Sequence, residues 1–195
     1  MRLKTSLFLA IGLLLIIHSG FCEERVIFGF EEDIPVWGIP DWCFEKEDYV
    51  ATERFTISKR FAKEGISSLE LMVDFPGARW TAAYIEVQEY LDLTPYQAIL
   101  ADIFLPEEAP FGLKAKFILT VGEDWDWTEM SRSVKLVPGE WTTISASIVP
   151  GSTDWRKTQV TDGFRADLRK LGIRIESNMQ PTYSGPIYID NVRLE

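Results

Sequence analysis

"LELMVDFPG", residues 69–77, decides the fold. Leu69, Leu71, Val73 and Phe75 fall on every second position, with Glu70, Met72 and Asp74 between them. Successive side chains of an extended chain point to opposite faces, so this spacing predicts a strand with one apolar face. Pro76-Gly77 then supplies a turn.

Further short apolar stretches lie on both sides of it: 26–30, 84–87, 99–105, 115–121, 134–137, 141–148, 171–175 and 187–194. Turn signals separate them at Pro106, Pro110-Phe111-Gly112, Pro138-Gly139, Pro150-Gly151 and Ser184-Gly185-Pro186. About ten short strands at near-regular spacing predict an all-β fold, an antiparallel two-sheet β-sandwich of the jelly-roll kind. One stretch departs from the pattern. Across 164–170 and into Leu171, apolar residues fall at 164, 168 and 171, which predicts one short helical insertion. With no internal repeat or linker, residues 23–195 are expected to form a single domain.

Residues 1–22 read as a signal peptide. Arg2 and Lys4 give a positive start, and 7–17 form an apolar run too short to span a bilayer. Cleavage after Cys22 has small residues, Gly20 and Cys22, where they are required. A lipid anchor on Cys22 is disfavoured because Phe21 stands where a small residue is needed. The protein is therefore expected to be secreted or periplasmic, without membrane insertion. The remaining 173 residues suffice for a sizeable core. They carry 18 basic and 30 acidic residues, a net charge of −12. Such a surface repels phosphate backbones, so nucleic acid is not an expected partner.

The only histidine, His18, lies in the signal peptide. Its loss removes His-based triads, Cys-His dyads and most catalytic zinc sites at once. If Cys22 leaves with the signal, Cys43 has no disulfide partner.

Two stretches carry chemistry. In "VGEDWDWTEM", 121–130, Trp125 and Trp127 stand among Glu123, Asp124, Asp126 and Glu129. The preceding strand puts Ala115, Phe117, Leu119 and Val121 on one face, and continued straight it would carry both tryptophans into the core. Gly122 interrupts it, as a glycine at a bulge does. Parity leaves the two outcomes open. Burial would strand several carboxylates at several kcal/mol each, and that favours exposure of at least one ring. In "PIYIDNVRLE", Ile187 and Ile189 share one face while Val192 and Leu194 share the other. The change falls at Asp190-Asn191, which is read as a bulge, a metal ligand or simply a surface Asp at a twisted edge.

Taken together, the chain resembles the β-jelly-roll carbohydrate-binding modules, most closely the mannan-binding modules of secreted mannanases (family twenty-seven). The carrying segments are "FGFEE" (28–32), "AKEGISSLELMVDFPGARW" (62–80), "YQAILADIFLP" (96–106), "GEDWDW" (122–127), "GEW" (139–141) and "YSGPIYIDNVRL" (183–194). They run in family order over nearly the whole chain after residue 22. The resemblance implies a galactose-binding-like sandwich, a non-catalytic role and a tryptophan platform for a β-linked, mannan-like polysaccharide or oligosaccharide. Its motif positions assign Trp80 and Trp125 or Trp127 to that platform. A third aromatic falls on Trp37, with Trp42 as the alternative. Glu123 and Asp126 are expected to accept hydrogen bonds from sugar hydroxyls. The resemblance also implies a structural calcium held by Glu31, backbone carbonyls near Lys63 and Gly65, and Asp190. Hard oxygen ligands of this kind suit calcium and need no histidine or cysteine.

Two other readings remain open. A jelly roll can be a structural or assembly domain with no sugar site. A glycoside hydrolase working through two carboxylates, about 5–9.5 Å apart, needs no histidine either. Glu123, Asp124, Asp126, Glu129, Glu86 and Glu89 could supply such a pair, and no motif selects one.

Overall fold

The computed structural model describes residues 24–32, 36–177 and 182–195. The signal-peptide reading, with Cys22, lies outside them. Twelve strands and two short helices are present among the described residues. The strands are β1 (Arg25–Phe28), β2 (Trp37–Gly38), β3 (Ala51–Ser58), β4 (Ser68–Pro76), β5 (Thr81–Leu91), β6 (Ala98–Phe104), β7 (Leu113–Val121), β8 (Asp126–Glu129), β9 (Val134–Lys135), β10 (Trp141–Ser147), β11 (Leu168–Ser177) and β12 (Thr182–Leu194). The helices are α1 (Asp41–Phe44) and α2 (Asp162–Ala166).

The strands form two antiparallel six-stranded sheets. The first runs β10-β6-β12-β4-β3, with β1 beside β12. The second runs β2-β5-β11-β7-β8, with β9 beside β7. Their inner faces make one core. Leu69, Leu71, Val73 and Phe75 of β4 are buried, as are Ala115, Phe117, Leu119 and Val121 of β7. Both sets are the period-two residues of their strands, so alternation alone selects them.

The helical insertion is shorter than its spacing predicted. Thr161 caps α2 by accepting the Phe164 amide at 3.1 Å, but the helix ends at Ala166. Leu168 already belongs to β11, whose pairing with both β5 and β7 overrides the local helical pattern. A second helix, α1, was not foreseen. It begins after Pro40 and turns Cys43 inward, where burial pushes the thiol pKa up to about 12.

The parity change in the last strand is a bulge. The β12–β6 register jumps between Asp190 and Arg193, and Asn191 takes a left-handed φ of 48°. The extra residue lets Ile187, Ile189, Val192 and Leu194 all reach the core. No helix among the described residues is long and apolar enough to cross a membrane.

Candidate functional site

The outer face of the second sheet carries the most distinctive arrangement. Alternation that sends Ala83, Ile85, Phe117 and Leu119 inward sends Tyr84, Glu86, Lys116, Ile118 and Thr120 outward. Register aligns Glu86, Gly172, Ile118 and Glu129 in one row across four strands. The next row holds Tyr84, Arg174 and Lys116. Gly172 matters here because it has no side chain. A Cβ at this position would lie 2.2 Å from the Tyr84 hydroxyl and 2.4 Å from a ring carbon. The tyrosine ring therefore lies across the strand, buried, with its hydroxyl donating to Glu86 at 3.0 Å. Burial, then the nearby Glu86 carboxylate, pushes its pKa well above the ordinary tyrosine value.

A groove of about 420 Å³ opens above this floor. One wall is Trp42 of α1 with Tyr49. Trp42 meets Tyr49 edge-on at 4.8 Å and Tyr84 at 5.5 Å between ring centroids. The other wall is Trp125 and Trp127. Glu86, Lys46, Lys170 and Thr120 supply the polar lining, and Lys170 pairs with Glu86 at 2.6 Å. Trp80 continues the aromatic line past Tyr49, edge-on at 6.2 Å, with its ring 5.7 Å from the Arg174 guanidinium.

Trp125 and Trp127 reach the groove by different means. β7 ends at Val121, and a turn closed by Trp125 N–H donating to the Gly122 carbonyl at 3.1 Å leads into β8. Gly122 and Trp125 both take left-handed φ, 73° and 58°. This turn resets parity, so Thr128 pairs opposite core residue Leu119 and Trp127 faces outward. Trp125 is 42 % exposed and Trp127 45 %. These are high values for the largest apolar side chain.

Several expected positions are corrected. Trp37 does not line the groove. It is 4 % exposed in β2 and packs against Phe28 and Phe30 at 5.2 and 5.8 Å. Trp42, its alternative, lines the groove instead. Glu123 and Asp126 do not flank the aromatic groove either. They line a separate hollow beside α2. Asp126 precedes Trp127 in a strand, so the two side chains take opposite faces. Trp155 is buried against Phe164 and donates its indole N–H to Ser147 at 2.8 Å. Trp141 of β10 packs on its cross-strand partner Phe104 of β6, within the first sheet. Tyr49, Tyr84 and Lys170 were missed, although Tyr84 opens the apolar stretch 84–87, in which Ile85 and Val87 turn to the core and Tyr84 and Glu86 to the other face.

Beneath Trp80 the floor is a buried charge network. Arg174 bonds Glu129 and, at 2.7 Å, Glu176. Lys116 lies 3.7 Å from Glu129 and 3.8 Å from Glu176, and Arg156 reaches Glu129 at 3.0 Å. Burial opposes ionisation of Glu129, but Arg174 and Lys116 outweigh it and hold its pKa below the ordinary glutamate value. Burial lowers that of Lys116.

The expected calcium residues converge at the other sheet. Asp190, fully buried, accepts from the amides of Lys63 and Glu64 at 2.7 and 3.1 Å. Glu31 accepts from the amides of Ile66 and Ser67. Gly65, at φ 63°, leaves room for it, since a Cβ there would meet its carboxylate at 2.0 Å. Burial, and secondarily the Glu31 charge, raises the Asp190 pKa. Neither carboxylate has an ion-pair partner among the described residues. Two uncompensated carboxylates suit a hard cation in charge and donor type. The loop groups that face them are N–H donors, however, and no cluster of three or more His, Cys, Asp or Glu side chains suited to a metal occurs among the described residues.

No protein-family model matches the chain, and no curated protein does. Solved structures match its fold. CBM27-1 of Caldicellulosiruptor saccharolyticus, solved in complex with mannohexaose, superposes with a TM-score of 0.61 at 20% identity, covering 89% of this chain and 97% of that one. The chain has the fold of a carbohydrate-binding module. A non-crystalline-cellulose-specific module, CBM28, gives a TM-score of 0.61 at 15% identity, over 86% and 92% of the two chains. The family 11 module of the cellulase Lic26A-Cel5E of Clostridium thermocellum gives 0.51 at 15% identity, over 88% and 94%.

Proposed function

We propose that this is a secreted, non-catalytic protein that binds a β-linked, mannan-like polysaccharide on the outer face of its second sheet. The observation that carries the reading is the pair of exposed indoles, Trp125 and Trp127, lining one groove with Trp42. A pyranose has a face of C–H groups ringed by hydroxyls. The indole faces cover the former, and Glu86, Lys170 and Thr120 can bond the latter. If each ring removes about 100 Å² of apolar surface, it contributes about 2–3 kcal/mol gross. Three rings give about 7 kcal/mol before ordering costs, which corresponds to micromolar to millimolar affinity. That strength suits a targeting module.

Among the residues lining the groove, Glu86 is the only carboxylate, and Lys170 pairs with it. Glycoside hydrolysis by the two-carboxylate route needs a second, so binding without catalysis is favoured. The open aromatic face argues against a purely structural domain. A glycan array followed by titration calorimetry on β-1,4-mannohexaose tests the reading. Trp80→Ala, and Trp125→Ala with Trp127→Ala, should each weaken binding by more than tenfold. Stability should fall by less than the 3–5 kcal/mol of a buried tryptophan truncation. Wild-type affinity in the double variant would move the site elsewhere.

We also propose that Glu31 and Asp190, with backbone carbonyls near Lys63 and Gly65, hold a structural calcium away from the groove. The support is the unbalanced charge of the two carboxylates. Bound there, the ion would tie β12 to the 63–67 loop and neutralise that charge.

A further inference from the structure

The protein carries a formal net charge of −10, yet the one carboxylate that lines its groove and the carboxylates beneath it are paired with cations. Glu86 is taken by Lys170 at 2.6 Å, and Asp167 by Arg169 at 2.9 Å. Glu129 and Glu176 are taken by Arg174 and Lys116. Two exposed ammonium groups are left over. Lys46 stands 4.6 Å from the centre of the Trp42 ring and 6.0 Å from that of Tyr49. Lys157 stands 6.0 Å from the centre of the Trp127 ring. Neither makes an ion pair among the described residues. Glu123 and Asp126 of the 122–126 turn do not offset them within the groove, because both line the hollow on the other side.

This arrangement is poorly suited to an uncharged sugar alone. A cation over an aromatic face is held by the ring's quadrupole. A pyranose that stacks on the face of Trp42 or Trp127 that the ammonium covers has to move that cation off the ring and returns only hydroxyl hydrogen bonds. A sugar with an anionic group at its rim moves the cation aside and pairs with it, and charge-assisted hydrogen bonds are roughly twice as strong as neutral ones. We propose that the groove selects an acidic glycan, a β-linked backbone bearing carboxylate or sulfate-ester groups, with Lys46 and Lys157 as the residues that read the charge. This rests on the assignment of the groove as a polysaccharide site and narrows its ligand class.

The test holds the backbone constant. The intact protein is titrated with three β-1,4-linked hexasaccharides: mannohexaose, its form oxidised to carboxylate at the exocyclic carbon, and a sulfate-ester form. Salt is kept near 0.1 M, where a Debye length of about 10 Å screens the acidic remainder of the surface. At least one charged ligand should bind tenfold or more tighter than mannohexaose, and whichever does so identifies the group. In Lys46→Gln with Lys157→Gln, that ratio should fall below threefold. Mannohexaose binding as well as or better than both charged forms overturns the inference and leaves the polysaccharide site standing. No binding by any of the three overturns both. A preference that survives in the double variant removes these lysines as its cause. Both side chains are exposed, and an unchanged melting temperature confirms that the variant is folded.

Discussion

Replacing Gly172 with alanine should damage the groove from below. A Cβ at this position would sit 2.2 Å from the Tyr84 hydroxyl, 2.4 Å from Cε2 and 2.6 Å from Cζ, whereas ordinary contacts begin at 3.4 Å. The tyrosine ring must therefore retreat by about 1.2 Å. It has little room to do so, since its hydroxyl is tied to Glu86 and its ring lies against Trp42, Cys43 and Ile118. Overpacking of this kind costs about 1–3 kcal/mol. For a domain of this size, that corresponds to a fall of roughly 2–12 °C in melting temperature. Trp42 rests on Tyr84, so mannohexaose affinity should fall with it. A double-mutant cycle decides the cause. In a Tyr84→Ala background the clash is gone, and the same glycine change should cost less than about 0.5 kcal/mol by urea denaturation. An equal cost in both backgrounds would refute the steric argument, because intrinsic propensity alone favours alanine over glycine in a strand.

Three further outcomes are expected. Glu129→Ala leaves Arg174 and Lys116 with Glu176 alone and should destabilise by about 3–5 kcal/mol in urea unfolding; a loss below 1 kcal/mol would show that the network is well hydrated. Because the folded-state pKa of Glu129 is depressed, its contribution is complete above its ordinary value near 4.3 and is lost as pH falls through the lower folded value; Glu129→Gln should flatten this acid limb of stability, and an unchanged limb would assign it to other groups. Excess calcium should raise the melting temperature relative to chelator in the wild type but not in Asp190→Ala, and equal shifts in the two proteins would remove Asp190 from any calcium site.

Much of the architecture was legible because burial on one face writes itself into the sequence. The run 69–75 became β4, and 115–121 became the core of β7. Elements with weak or mixed faces were not legible. β3 is an edge strand whose sequence, "ATERFTIS", gives no sustained alternation, and it is specified by pairing with β4. β2 has two residues, too few for a period to appear. The aromatic groove was partly legible for the same reason. Trp125 and Trp127 announced themselves by standing among acids. Trp42 and Trp37 sit in "VWGIPDW", where no period links either to a strand, so sequence could not tell the buried ring from the half-buried one that lines the groove. The structure separates them by element: β2 carries Trp37 under Phe28 and Phe30, while α1 lifts Trp42 over Tyr84.

The cost of burying charge keeps most acids of the 121–130 stretch in solvent, but not Glu129. Glu123, Asp124 and Asp126 are all exposed with the rings. Glu129 is 7 % exposed in the same stretch. The difference lies in what the neighbouring strand supplies. Register places Glu129 opposite Ile118 of β7, with Arg174 of β11 and Lys116 of β7 close by. A carboxylate bonded by three cations no longer incurs the cost of an isolated buried charge. Burial of an acid is thus decided by the pairing of distant strands, which a local reading cannot see. The same pairing gives the groove a fixed floor. Trp80 and Tyr49 rest beside Arg174, whose guanidinium is held from two sides by Glu129 and Glu176, so these rings are ordered by the fold itself.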